Sequence, residues 1–171
     1  MVVAWSPEDS FFTLGIKALF DTDSSKADYS EDVIVVNLSM PNLKFFFACE
    51  EEILLPGSSS VVIISVDEHL LPLGVFLWEK YASVKTVWCK RLPVDALRTL
   101  LSAENVIEES VTNPPINRLS AAEYRILKLT MSGLDVYSIA KNIKRSTKTV
   151  YSLRSNLLKK MNVRHYRMLF L

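Results

Sequence analysis

"RSTKTVYSLRSNLLKKMNV", residues 145–163, holds five Lys or Arg side chains and no acidic one, in a chain of 171 residues whose formal net charge is only +1. At about 100° per residue, with Val150 at the origin, Leu153, Leu157 and Met161 fall within about 60° of it and Leu158 at about 80°. Lys148, Ser152, Ser155 and Lys159 lie opposite, between about 140° and 200°, flanked by Tyr151 and Asn156. The stretch therefore predicts a helix capped by Ser146. Its inner stripe is aliphatic, and its outer face sets small polar side chains among cations.

The residues on either side predict the partners of that stripe. In "LSAAEYRILKLTMSG" (119–133), Ser120 and Glu123 stand at capping-box spacing, with Leu119 and Tyr124 placed as a hydrophobic staple. Gly133 ends that helix. Asp135 caps a short helix running to about Ile143, with Val136, Ile139, Ala140 and Ile143 inward. "RHYRMLFL" (164–171) reads as a short final helix. A short capped helix, a tight turn and a longer basic helix form a helix-turn-helix pattern. In that arrangement the second helix enters the DNA major groove, with residues near its N-terminus at the base edges.

The chemistry of the outer face suits that task. Lys144, Arg145, Lys148, Arg154 and Lys159 are placed to neutralise phosphates, and the helix N-terminus adds partial positive charge. Thr147, Thr149 and Ser152 are small enough to donate to phosphates or to let the backbone come near. Tyr151, Ser152 and Ser155 are the candidates for base-edge contact. The middle of this face has neither Arg nor Asn for bidentate readout, so one copy is expected to discriminate weakly between sequences. A basic helix lying on a membrane is the competing reading. It is disfavoured because the apolar stripe has no Trp or Phe and is needed for a three-helix core.

Charge divides the chain. From Asn117 onward there are twelve Lys or Arg against two acids, a net +10, while the residues before it hold eight bases and seventeen acids, a net −9. Such asymmetry points to an anionic partner met by one half only. The division falls in "ENVIEESVTNPPINR" (104–118), where apolar periodicity stops and Pro114-Pro115 acts as a stiff spacer. The expected organisation is a first domain over 1–103, a linker over 104–117 and a helical domain over 118–171.

Before the linker, apolar runs alternate with helical patterns. "VVAW" (2–5), "DVIVVNL" (32–38), "SVVIISV" (60–66) and "VKTVWCK" (84–90) read as strands. The second and third are continuous β-branched runs, as expected for strands buried on both faces. Residues 8–20, 42–54, 71–83 and 93–103 read as helices, the last opened by Pro93. Strands separated by helices imply an α/β domain with a parallel sheet covered on both faces, followed by an all-α domain.

The helical half, on Leu119, Ser120, Glu123, Ile126, Leu127, Gly133, Ile139, Ala140, Ile143, Ser146, Thr149, Val150, Lys160, Met161 and Val163, resembles the LuxR/FixJ-type helix-turn-helix domain of bacterial transcription regulators. Ala122, Ser138 and Leu153 stand where that family usually has Arg, Glu and His. The "KTVYS" segment is most similar to Rcs-type capsule regulators and related fimbrial regulators. By family position Tyr151, Ser152 and Ser155 take the base-contacting places, the same three that the helical wheel selects.

"DVIVVNLSMPNL" (32–43) resembles the third strand and following loop of a response-regulator receiver, and the resemblance extends over residues 1–103. It puts Asn37 where the phosphoacceptor Asp stands. Glu8 and Asp9 take the place of the acidic pair, Ser65 that of the hydroxyl residue, and Lys90 that of the receiver's Lys. The stretch after the first helix is too short for a full second strand and helix. A hard dication needs carboxylate oxygens, and a neutral amide is a poor nucleophile, so neither metal binding nor phosphorylation is expected at Asn37. Glu8, Asp9, Ser65 and Lys90 are then structural relics.

The function expected is a cytoplasmic, phosphorylation-independent transcription regulator, binding double-stranded DNA as a homodimer or as a heterodimer with a response regulator. The alternative is an adaptor that modulates a partner regulator with little DNA contact of its own. An enzyme is disfavoured: His69 and His165 lie in different halves, and no Gly-rich phosphate loop, metal-ligand spacing or nucleophile elbow appears. No cofactor, secretory signal or membrane span is expected, and Cys49 and Cys89 read as core thiols.

Overall fold

The computed structural model describes residues 2–6, 8–21, 32–55, 60–90 and 118–170. The expected helix over 93–103 and the linker over 104–117 lie outside them. Four strands, β1 (Val2–Trp5), β2 (Asp32–Leu38), β3 (Ser60–Val66) and β4 (Val84–Cys89), form one parallel sheet in the order β1-β2-β3-β4. The unbroken β-branched runs of β2 and β3 belong to its two central strands, where both faces need apolar cover.

Alternation along those strands sorts the side chains. Val33, Val35 and Ile63 meet Ile16 of α1 (Ser10–Asp21) on one face. Val36, Leu38, Val62, Ile64 and Val66 share the opposite face with Leu43, Phe46, Leu73 and Leu77 from α2 (Leu43–Leu54) and α3 (Leu71–Lys80). Gly74 lets α3 lie close to the sheet, because a Cβ there would come within 2.9 Å of methyl groups of both Val66 and Val87.

Three elements differ by more than one residue from those the sequence predicts, each for a tertiary or capping reason. The first helix starts at Ser10, after Asp9 Oδ1 accepts from the Phe12 N–H at 3.0 Å. The third stops at Lys80 because Tyr81 turns extended and its hydroxyl reaches Glu50 on α2 at 2.8 Å. The final helix is a tight 3-10 turn over Tyr166–Phe170, anchored by buried Leu169 and by Tyr166 on Thr130.

The helical half is α4 (Ala121–Met131), α5 (Val136–Asn142) and α6 (Thr147–Lys160). Ile126, Ile139, Ala140 and Val150 form its own small core. The other side of α4 and the end of α6, with Leu119, Tyr124, Leu127, Met131, Leu157 and Met161, join the apolar cluster beneath α2 and α3.

Candidate nucleic-acid interface

Each helix of the C-terminal half begins on a side-chain cap that its local sequence supplies. Ser120 Oγ accepts from the Glu123 N–H at 3.3 Å while Glu123 Oε2 accepts from the Ser120 N–H at 2.7 Å, a complete capping box. Asp135 Oδ1 accepts from the Ser138 N–H at 2.7 Å, and Ser146 Oγ from the Thr149 N–H at 3.2 Å. These contacts satisfy N–H groups that a helix start leaves unpaired. Gly133 ends α4 at φ 84°, in the left-handed region that glycine enters without a Cβ penalty.

The turn between α5 and α6 is tight. Lys144 sits at φ 54°, and the Arg145 N–H returns to the Ala140 carbonyl at 3.0 Å. A lysine held in this region carries conformational strain. The turn brings Lys144 and Arg145 to the start of α6, both exposed.

Along α6 the two faces separate as the wheel predicts. Val150 and Leu157 are fully buried, and Met161 closes the stripe just past the helix. Leu153 and Leu158 are half-buried against the flanking cores. Lys148, Tyr151, Ser152, Ser155 and Lys159 are exposed, Tyr151 to 60%. Thr147 and Thr149 are half-buried at the first turn, and the Thr149 hydroxyl lies 3.0 Å from Ser146 Oγ.

Arg154 is placed differently from the other cations. Its guanidinium lies 4.3 Å from the centre of the Tyr166 ring, and Nη2 donates to Thr130 Oγ1 at 3.2 Å. Burial raises the Tyr166 hydroxyl's pKa, an effect larger than the opposing influence of its hydrogen bond with Thr130 and of the Arg154 charge. Arg154 thus ties α6 to α4 and the last turn, and the outer face keeps Lys148 and Lys159 as its cations. Several other bases of this half are also committed within the chain. Lys160 bonds Glu123 at 2.7 Å, Lys128 bonds Glu50 at 2.7 Å, and Arg118 pairs with Glu79.

In the N-terminal half, five polar side chains meet where the strands end, the edge at which parallel sheets place their sites. Asn37 is buried and pairs in register with Ser65. Its Nδ2 donates to Asp9 Oδ2 at 2.8 Å, and its Oδ1 accepts from Lys90 Nζ at 2.6 Å. Lys90 also donates to Asp67 Oδ1 at 2.9 Å. Glu8 is exposed in the preceding turn, and Ser65 is fully buried.

Asn37, Asp9, Ser65 and Lys90 are therefore brought together, and Glu8 stands apart. Asp67 is the member that sequence reasoning missed. Its place directly after the run "SVVIISV" was the available signal, since a residue there emerges at the same sheet edge. Among the described residues, no three His, Cys, Asp or Glu side chains converge as metal ligands.

This arrangement is that of a receiver-like sheet joined to a LuxR-type helix-turn-helix. Residues 117–170 match the family described as bacterial regulatory proteins, luxR family. Residues 1–103 match the EcpR N-terminal domain, and the chain belongs to that family.

Solved structures similar to this chain include regulators of two kinds. RcsB, in a structure of two dimers bound to two parallel DNAs, is 20% identical over 99% of this chain and 94% of that chain, with a TM-score of 0.51. The RcsB response regulator of Salmonella typhimurium is 20% identical over 99% and 95%, with a TM-score of 0.44. Full-length FixJ from B. japonicum is 16% identical over 99% and 92%, with a TM-score of 0.40.

Proposed function

We propose that this chain is a DNA-binding transcription regulator that presents the outer face of α6 to the major groove and acts as a dimer, of itself or with a response regulator. One observation carries the reading. Lys148, Tyr151, Ser152, Ser155 and Lys159 are all exposed on one side of a helix whose opposite side packs into the core through Val150 and Leu157. The luxR-family match and the RcsB structure, described as dimers on DNA, support it.

In this reading Lys144, Arg145, Lys148 and Lys159 neutralise phosphates, with Thr147 and Thr149 at the helix start beside the backbone. Tyr151, Ser152 and Ser155 reach base edges. Residues 118–171 form the DNA-binding domain, and residues 1–103 supply association. A dimer suits the energetics, because a single module buries little surface and two half-sites multiply modest affinities.

Regulation by phosphorylation at position 37 is excluded on this proposal. A carboxamide lacks the nucleophilic carboxylate oxygen that forms an acyl phosphate, and both ends of the Asn37 amide are already engaged by Asp9 and Lys90. Intact-mass measurement after incubation with acetyl phosphate is expected to show no phosphoryl adduct at this residue.

The deciding experiment measures duplex affinity against salt concentration. With about four phosphates neutralised per subunit, a dimer should show a log–log slope near −7. Removing Lys148 and Lys159 together should weaken binding across all sequences and flatten that slope. Affinity that ignores both salt and these substitutions would favour the adaptor reading instead.

A further inference from the structure

Glu50 belongs to the acidic run Glu50-Glu51-Glu52 on α2. Its two neighbours in that run are exposed, yet the Glu50 side chain is wholly buried. Burying a carboxylate is costly unless donors meet its oxygens. Here they arrive from both halves of the chain. From the end of α3, the Tyr81 hydroxyl donates to Oε1 at 2.8 Å and Lys80 Nζ stands 3.6 Å from the same oxygen. From α4, the Tyr124 hydroxyl also donates to Oε1, and Lys128 donates to Oε2 at 2.7 Å.

Tyr124 and Lys128 stand one helical turn apart, so both reach the same point from one face of α4. The Tyr124 ring stacks on Phe76 with centroids 4.5 Å apart, and Lys80 Nζ lies 4.4 Å from the same ring's centre. Further contacts close the seam. Arg118 pairs with Glu79, the Leu119 N–H donates to the Pro72 carbonyl at 3.3 Å, and His69 Nδ1–H donates to the Met161 carbonyl at 2.9 Å. None of these contacts uses Lys148, Tyr151, Ser152, Ser155 or Lys159.

We propose that Glu50 is an interdomain latch. It holds α4 against α2 and α3, so the sheet half and the helical half move as one body with α6 at a fixed angle to the sheet. Apolar packing alone tolerates sliding, whereas a buried carboxylate on α2 with donors from the end of α3 and from α4 is satisfied in one register only. Glu50, Tyr124 and Lys128 are thus positioning residues for the outward face of α6. What that face reads rests on the proposed function; the coupling of the two halves does not.

The test is amide 15N relaxation on the full chain. In the wild type, residues 32–55, 60–90 and 119–163 are expected to share one tumbling time. Glu50→Gln combined with Lys128→Met should abolish the shared value and let the helical half tumble faster, with the spectra of both halves still dispersed. Loss of folding alone would collapse the dispersion and would not separate two well-dispersed sets.

If the double variant does not fold, Tyr124→Phe keeps the ring stack, removes one donor, and should raise hydrogen exchange along α4. Two tumbling times in the wild type would overturn the latch. So would a folded double variant with a single time, or unchanged exchange in Tyr124→Phe. Duplex binding by the Lys148→Ala, Lys159→Ala variant is read separately. Its failure to weaken strikes the DNA reading, while a tumbling time lost only in the latch variants upholds the latch.

Discussion

Arg154 and Lys148 stand on the same helix and carry the same charge, yet their surroundings give them different work. Arg154 covers the Tyr166 ring and bonds Thr130, whose own hydroxyl donates to the Ile126 carbonyl at 2.8 Å. Arg154→Ala is therefore expected to lower unfolding free energy by about 1–2 kcal/mol, from a lost cation–π contact and a lost hydrogen bond. Urea unfolding would read that loss, and the salt slope of duplex binding should stay unchanged. Lys148→Ala should do the reverse, sparing stability and flattening the slope by about one unit per subunit.

Glu123 gives a pH signature at the same scale. Burial by itself raises its pKa, but the bonds from Lys160 and from the Ser120 backbone and hydroxyl outweigh that and hold it below the ordinary value. A carboxylate depressed in the folded state stabilises the fold above its unfolded pKa, and that stabilisation is lost as pH falls through the folded value. The stability gap between wild type and Glu123→Gln should be full at neutral pH. It should close as the solution is acidified below the ordinary glutamate range, as denaturant unfolding at several pH values would show.

At the scale of elements, Gly74 sets how closely α3 approaches the sheet. Gly74→Ala places a methyl against Val66 and Val87 at 2.9 Å, with the helix on one side and two strands on the other. Such overpacking is expected to cost about 1–3 kcal/mol despite alanine's better helix propensity, and thermal unfolding would report it as a lower Tm.

The elements themselves were legible because their signals are local. Ser120, Asp135 and Ser146 announce helix starts within three residues of the N–H groups they cap, and the β-branched runs of β2 and β3 need only their own composition. The outer face of α6 was legible for the same reason, since periodicity fixes which side chains oppose Val150. What could not be read depends on partners far along the chain. Arg154 looked like its exposed neighbours until Thr130 and Tyr166 folded beside it. Glu50 has no local mark that sets it apart from Glu51 and Glu52, because its donors lie 31 and more residues away. Asp67 escaped notice because only the sheet brings it to Lys90, 23 residues on.

At the scale of the whole molecule, the chain joins an acidic body to a basic one through a seam that is itself partly ionic. If the latch holds α6 at one angle, a dimer formed through the N-terminal halves offers its two helices at one separation. Affinity for a duplex selected by the wild-type chain should then fall sharply when five base pairs are inserted between half-sites, since about half a helical turn moves one site to the opposite side. The Glu50→Gln, Lys128→Met variant should tolerate the insertion better, as a titration of both duplexes would show.

The seam also leaves Lys148, Tyr151, Ser152, Ser155 and Lys159 uncovered while the two halves are docked. On the proposed function no gate has to open before an encounter can succeed. Association should therefore be a single phase whose observed rate climbs in proportion to protein concentration without levelling off, and salt should slow it by screening the steering charges. Control over such a molecule would lie in how much of it is made and what it is paired with, rather than in a change of shape.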